Sequence, residues 1–269
     1  MERKVVLITG GSSGIGKSIG EYLTSKGFIV YGTTRNLSKH PNFNAFHLLA
    51  LDVKDPKTIA TAVAQVVANE GRLDVLVNNA GVGITGPIEE TPYEEIQGAF
   101  DTNVHGPIYM IKAVLPQMRK QRAGLIINIT SIAGYMGLPY RGIYSASKGA
   151  LELITEALRM ETKDFGVQIT NLAPGDFATN IAAGRYHAPI SESSAYKKPY
   201  ENTLKQINDH VDTAQDPIAV AKMVLRIIHT KKARIHYKVG QPMQKFSLFL
   251  KKILPDIMYE KLLLNHYKL

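Results

Sequence analysis

Residues 9–16 read Thr9-Gly10-Gly11-Ser12-Ser13-Gly14-Ile15-Gly16, a glycine-rich turn between the apolar run Lys4-Val5-Val6-Leu7-Ile8 and a helical pattern over residues 14–26. A short buried strand, a tight turn and a helix, in that order, form the first βα unit of a dinucleotide-binding sheet. Glycines let a backbone approach phosphate closely, and a helix amino terminus offers unpaired N–H groups and the positive end of a dipole. Three glycines alone would suit any tight turn; the strand before and the helix after give this turn its phosphate-binding reading. Gly10, Ser12, Ser13, Gly14, Ile15 and Gly16 are the first candidate cofactor contacts.

Outward from that turn, apolar runs and helical stretches keep alternating, the pattern of βαβ units around a parallel sheet covered on both faces. Strands are expected over residues 4–9, 28–34, 46–51, 73–78, 124–130, 168–172 and 234–239. Helices are expected over residues 14–26, 56–70, 93–119, 142–165 and 216–230. The fold expected is a single α/β domain over residues 1–242, with a doubly wound parallel sheet of seven strands. Residues 181–213 lose clear periodicity and gather serines, prolines and Tyr186, Tyr196 and Tyr200, which suits a lid over a substrate pocket.

The last segment, residues 243–269, forms an amphipathic tail. Phe246, Phe249, Leu250 and Ile253 follow helical spacing, and Pro255 opens a second helix with Met258, Leu262 and Leu263. Lys251 and Lys252 interrupt the run, so it does not span a bilayer, and five lysines (245, 251, 252, 261, 268) against Asp256 and Glu260 leave it at +3. Packing on its own domain or on a partner subunit is expected; peripheral contact with an anionic membrane is the alternative.

Composition narrows the chemistry. The 269 residues are 45% hydrophobic and 20% charged, enough for a large core. Cysteine is absent, which excludes disulfides, thiolate metal sites and cysteine nucleophiles, and no metal site is expected. The formal charge of +9 favours anionic ligands, but the basic residues are scattered, without an arginine-rich arm or aromatic ladder, so nucleic acid is not an expected partner. The chain enters its first strand almost at once with no secretory signal pattern, and a cytoplasmic protein is expected.

Within Tyr144-Ser145-Ala146-Ser147-Lys148 a phenol and an ammonium lie four residues apart, on one helix face. A cation beside a phenol favours the phenolate and suits it to proton transfer, although the pentapeptide taken alone reads more readily as a solvated surface pair, and context must decide.

The spacing G-x-x-x-G-x-G, followed by Asn78-Asn79-Ala80-Gly81 and Tyr144-x-x-x-Lys148, resembles the short-chain dehydrogenase/reductase family. The likeness runs in order over residues 4–180 and includes Asp52, Asn103, Ser131 and Pro174-Gly175. It implies a Rossmann-type fold and hydride transfer between a nicotinamide cofactor and a ketone or secondary alcohol. Tyr144 would be the general acid/base, Lys148 would tune it and hold the nicotinamide ribose, Ser131 would hydrogen-bond the substrate oxygen, and Asn103 would kink its helix and hold a relay water. Asp52 and the adjacent Val53 would meet adenine, Asn79, Ala80 and Gly81 would border the cofactor while tying backbone together, and Pro174, Gly175 and Thr179 would lie near the carboxamide. Tyr135, Met136, Leu138 and Tyr140 would line the cleft and select a fairly apolar substrate. A homodimer or homotetramer pairing the long helices is implied. A non-catalytic NADP(H)-sensing module and a membrane-associated interaction protein are the other function classes.

Cofactor choice turns on the end of the second strand, where an NAD enzyme needs a carboxylate for the ribose 2′-hydroxyl. Between Glu21 and Asp52 no acidic residue occurs, and the strand ends Thr33-Thr34-Arg35. Arg35, helped by Ser13, is placed to pair with a 2′-phosphate, so NADP(H) is expected.

Overall fold

The computed structural model describes residues 3–177, 184–212 and 215–269. Seven parallel strands form one sheet: β1 (Val5–Ile8), β2 (Ile29–Thr34), β3 (His47–Ala50), β4 (Val75–Asn78), β6 (Gly124–Ile129), β7 (Val167–Pro174) and β9 (His236–Val239). These are the seven strands expected from the sequence. Their order, β3-β2-β1-β4-β6-β7-β9, reverses direction of growth between β1 and β4 and opens a crevice at their carboxyl ends. A second parallel pair joins β5 (Ile84–Thr85) to β8 (Tyr186–His187).

The strands are apolar because both faces are covered. Val6 and Ile8 of β1 pack on one side with Ile15, Ile19 and Leu23 of α1 (Gly14–Ser25) and with Val220, Val224 and Ile227 of α7 (Ile218–Ile228). Val5 and Leu7 point to the other side, against Ile59, Val63 and Val66 of α2 (Pro56–Glu70) and Met110, Val114 and Met118 of α4 (Gly106–Gln121). Full burial of a side chain such as Ile19 or Leu23 contributes about 1.5–3 kcal/mol, so the two clusters carry most of the fold's stability.

One polar row crosses this apolar sheet. Asn78, Asn128 and Asn171 are register partners on β4, β6 and β7. The Asn78 amide donates to Asn128 Oδ1 (2.9 Å), Asn128 donates to Thr155 Oγ1 (2.8 Å), and Thr155 donates to Asn171 Oδ1 (2.7 Å). All four side chains are buried and each makes at least one hydrogen bond, although Asn78 Oδ1 at the end of the row has no partner among the described residues.

The structure departs from the sequence expectation in three helical regions. The expected helix over residues 93–119 is α3 (Tyr93–Phe100) and α4, joined by a π turn at Asp101–His105 centred on Asn103. The expected helix over 142–165 is α5 (Gly142–Glu161) followed by a separate 3-10 turn at Lys163–Phe165. The segment read as aperiodic contains α6 (Lys197–Asp212), a helix whose apolar stripe is sparse among charged residues.

The tail forms α8 (Pro242–Ile253) and α9 (Asp256–Tyr267). Leu248 and Tyr259 cluster with Ile132, Met136 and Ala173, and Gln244 donates to Asp176 Oδ2 (2.7 Å). The tail thus packs on the loops that follow β6 and β7.

Candidate active site

The glycine turn folds as its spacing requires. Gly10 and Gly14 adopt positive φ (65° and 53°), where a side chain would be strained. A Cβ on Gly16 would collide with the Gly10 carbonyl, and one on Gly11 with Gly32 of β2. Asn79 locks this turn to the end of β4: its amide donates to the carbonyls of Thr9 (2.9 Å) and Gly10 (3.2 Å), while Thr9 Oγ1 accepts from the N–H groups of Asn79 and Ala80.

Beside the turn lies a cavity of about 560 Å³ lined by Gly10, Ser12, Ser13, Gly14, Ile15, Arg35, Asp52, Val53, Asn79, Ala80 and Gly81. Thr34, Lys39, His40 and Lys54 also line it, and Asp52 is its one carboxylate among the described residues. Gly16 stands behind the wall, where it lets α1 start against the turn. A glycine cradle at a helix start, open to several basic side chains, fits a phosphorylated dinucleotide.

A smaller cavity of about 80 Å³ shares Ile15, Asn79 and Gly83 with the first and is lined by Ser131, Tyr144, Lys148, Pro174 and Gly175. Tyr144 and Lys148 project from the first half of α5. Lys148 is 5% exposed and donates to the Ile129 carbonyl (3.1 Å). Burial pulls its pKa below the ordinary lysine value, while Tyr144 and Glu152 push it back up. Ser131 caps the turn Ile132–Tyr135, its Oγ accepting from the Ala133 N–H (3.1 Å).

Asn103 lines neither cavity. The π turn aims its side chain at Val82, whose N–H and carbonyl it holds at 2.9 and 3.0 Å, and at Ser147 Oγ (3.1 Å), which in turn donates to the Tyr144 carbonyl (2.8 Å). It therefore braces the β4 loop against α5. A Cβ on Gly81 would fall 3.1 Å from Asn103 Oδ1 and 3.3 Å from Lys148 Nζ, so this glycine lets the loop, the π turn and the lysine converge. Thr179 lies outside the described residues.

Tyr135, Met136, Leu138 and Tyr140, expected in the cleft, line neither cavity. Met136 and Leu138 pack against the tail, Tyr140 adopts φ 55° and its ring meets that of Tyr200 at 5.2 Å, and Tyr135 turns inward to Glu152. The loop's apolar side chains face the tail helices that cover them. The cavity wall instead includes Ile84, Ile129 and Phe177 with Arg141, Asp176 and Arg185. Arg185 Nη1 is buried with no hydrogen-bond partner, and burial, with Arg141 nearby, lowers its pKa.

Sequence reasoning also missed Glu152, one turn beyond Lys148 on α5. Its carboxylate is 5% exposed and accepts from Tyr135 OH (2.7 Å), Asn171 Nδ2 (2.9 Å) and Thr130 Oγ1, and meets His236 Nδ1 (2.7 Å). His236 Nε2 reaches Glu156 Oε1 (2.9 Å). The spacing Tyr144, Lys148, Glu152 was the available signal, since it extends one helix face by another turn.

A doubly wound sheet with a glycine cradle at its switch point and a tyrosine–lysine pair beside it defines a dinucleotide-dependent oxidoreductase. The sequence model of the short chain dehydrogenases matches residues 4–189, and the chain belongs to that family. It is 39% identical over 261 residues to a 3-ketodihydrosphingosine reductase of Bacteroides thetaiotaomicron, covering 97% of this chain and 96% of that one. It is 32% identical over 281 residues to an NADPH-dependent 3-dehydrocapnine reductase of Ornithobacterium rhinotracheale, covering 98% of each. Among solved structures, a short-chain dehydrogenase from Streptomyces avermitilis superposes with a TM-score of 0.80 at 30% identity, over 100% of this chain and 97% of that one.

Proposed function

We propose that this protein is an NADP(H)-dependent reductase that interconverts a ketone and a secondary alcohol on a fairly apolar substrate. The observation that carries the reading is the gathering of Tyr144, Lys148 and Ser131 in one cavity that adjoins the glycine-cradled cavity at the sheet's switch point. Bound there, a nicotinamide cofactor supplies the hydride. Tyr144 gives its phenolic proton to the substrate oxygen, and Ser131 donates a hydrogen bond to the same oxygen as charge develops on it. Lys148, held by the Ile129 carbonyl, presents its charge to Tyr144 and to the cofactor ribose. Asn103 keeps the β4 loop and α5 in register behind them, the place from which a relay water would be held.

Arg35, exposed at the end of β2, is the partner for a 2′-phosphate, with Ser13 beside it in the same cavity wall. The relative named as NADPH-dependent supports that choice. Ile84, Ile129 and Phe177 supply the apolar wall, and the relative that acts on 3-ketodihydrosphingosine supports a lipid ketone as substrate. Residues 184–212, in which Tyr200 OH bonds the Thr85 carbonyl (3.0 Å), would act as the lid. Exposed Leu153 and Met160 on α5 (67% and 69%) support pairing of two copies through that helix in a cytoplasmic homo-oligomer.

Following NADPH absorbance with a panel of long-chain keto lipids, steroids and sugars tests the reading. Turnover of a lipid ketone is expected. Absence of oxidation with every carbonyl, despite tight NADPH binding, would leave the sensing role in its place.

A further inference from the structure

Fifteen large apolar side chains are exposed among the described residues, and nine of them lie in the last 27 residues: Met243, Phe246, Phe249, Ile253, Ile257, Met258, Leu262, Leu264 and Leu269. Their spacing is ordered. On α8, Met243, Phe246, Phe249 and Ile253 recur every three or four residues and form one stripe, 51–72% exposed, opposite the buried Leu248. On α9, Tyr259, Leu263 and Tyr267 recur every four residues and face the domain, while Ile257, Met258 and Leu262 face outward. Both helices are therefore apolar on two faces, of which the fold covers one. Contiguous apolar surface of this kind marks an interaction site.

The charge around the patch identifies the occupant. Lys245, Lys252 and Lys261 are exposed on the same two helices and Lys268 just beyond them, and residues 243–269 carry a formal charge of +3 in a chain of +9. No helix among the described residues is long and apolar enough to cross a membrane. Apolar stripes fringed by lysine, too short to span, suit the boundary between headgroups and acyl chains. A second copy of the chain would meet a like-charged surface here, whereas α5 offers it Leu153 and Met160.

We infer that α8 and α9 form a docking face for an anionic bilayer, with the Phe246–Phe249–Ile253 stripe entering the acyl boundary and the lysines meeting the headgroups. The inner faces of these helices touch the catalytic region: Tyr259 OH contacts Met136 Sδ (3.0 Å), and Arg141, which lines the catalytic cavity, acts electrostatically on the Tyr267 hydroxyl. Docking places the oxidoreductase site one helix layer from the lipid surface.

The test is co-sedimentation of the full chain with vesicles of phosphatidylcholine alone or containing about one-third phosphatidylglycerol. The protein is expected to pellet with the anionic vesicles, to pellet less with the neutral ones, and to be partly released by salt. Phe246→Ser, Phe249→Ser and Ile253→Ser combined should weaken binding at least tenfold while leaving the circular dichroism melt and the reduction of a water-soluble ketone unchanged. Should that variant misfold, Lys245→Glu, Lys252→Glu and Lys261→Glu test the same face, with about a fivefold loss expected per lysine. The inference is overturned if the full chain stays in the supernatant with anionic vesicles, or if folded variants pellet like the parent. It is overturned equally if the triple serine variant converts an oligomer to monomers without any vesicle binding by the parent. Vesicle binding is read without turnover, so this outcome is independent of the catalytic reading.

Discussion

The imidazole Nδ1 of His236 lies 2.7 Å from Oε2 of the buried Glu152, although 84 residues separate them in the chain. The other ring nitrogen lies 2.9 Å from Glu156 Oε1, so the imidazole bridges two carboxylates. Glu152 is in turn one of the two groups that raise the pKa of Lys148 against the lowering by burial. The His236 ring at the sheet edge is thereby linked through Glu152 to Lys148.

Glu152→Gln should move the alkaline limb of the kcat profile to lower pH, because removing a charge that raises the Lys148 pKa lets the lysine lose its proton earlier. Stability should change with the matching sign. A lysine whose folded pKa is depressed costs stability while it is charged, and that cost fades as pH rises through the folded pKa toward the unfolded one. The variant should therefore be destabilised most near neutral pH, by about 1–3 kcal/mol, and less in alkaline buffer. Thermal melts across that range check it, and an unmoved alkaline limb would refute the link.

Tyr144→Phe removes one hydroxyl from the catalytic cavity. Turnover should fall by at least about 100-fold, with NADPH affinity and melting temperature retained. Titration of NADPH fluorescence alongside turnover separates the two effects; a variant that still turns over would exclude Tyr144 as the proton donor.

Lys148→Ala should lose both turnover and cofactor affinity under the proposed mechanism, in which the ammonium would serve the tyrosine and the ribose together, and it leaves the Ile129 carbonyl without this donor. Calorimetric titration with NADPH reads the second effect directly. Unchanged affinity would remove the ribose contact from the mechanism.

Arg35→Ala should weaken NADPH binding about tenfold to a hundredfold and leave NADH binding nearly unchanged, the range for a charge-assisted pair. Adding Thr34→Asp should reverse the preference. Equal affinities for the two cofactors in the parent at low salt would show that Arg35 is only a surface cation.

Much of this arrangement was readable in the sequence for definite physical reasons. The seven strands announced themselves because a parallel sheet buried on both faces needs unbroken apolar runs, as in Val5-Val6-Leu7-Ile8 and Leu125-Ile126-Ile127. The glycine turn and the Tyr144–Lys148 pair were readable because both are local. What escaped was short or distant. Two-residue strands such as Ile84–Thr85 carry no period, and α6 looked like a loop because polar residues fill most of its turns. Glu152 was not singled out, because only the fold brings Tyr135, Asn171 and His236 around it. Tyr135, Met136, Leu138 and Tyr140 were assigned to the cleft because their loop borders it, but the covering tail draws Met136 and Leu138 the other way.

The row of Asn78, Asn128 and Asn171 acts as a datum line for the catalytic edge. Slipping a strand by one residue turns its side chains to the opposite face. For β6 that would drive the Asn128 amide among the helices' apolar side chains and break two hydrogen bonds at once, whereas Leu125, Ile126, Ile127 and Ile129 elsewhere on the strand would fit either way. The amides therefore choose one alignment among several that the apolar packing alone would accept. With the three strands aligned there, Asn79 follows one residue beyond the line, and Ser131 and Pro174 each follow three beyond it. The glycine turn and the Ser131 hydroxyl thus owe their common level to a measurement made inside the sheet.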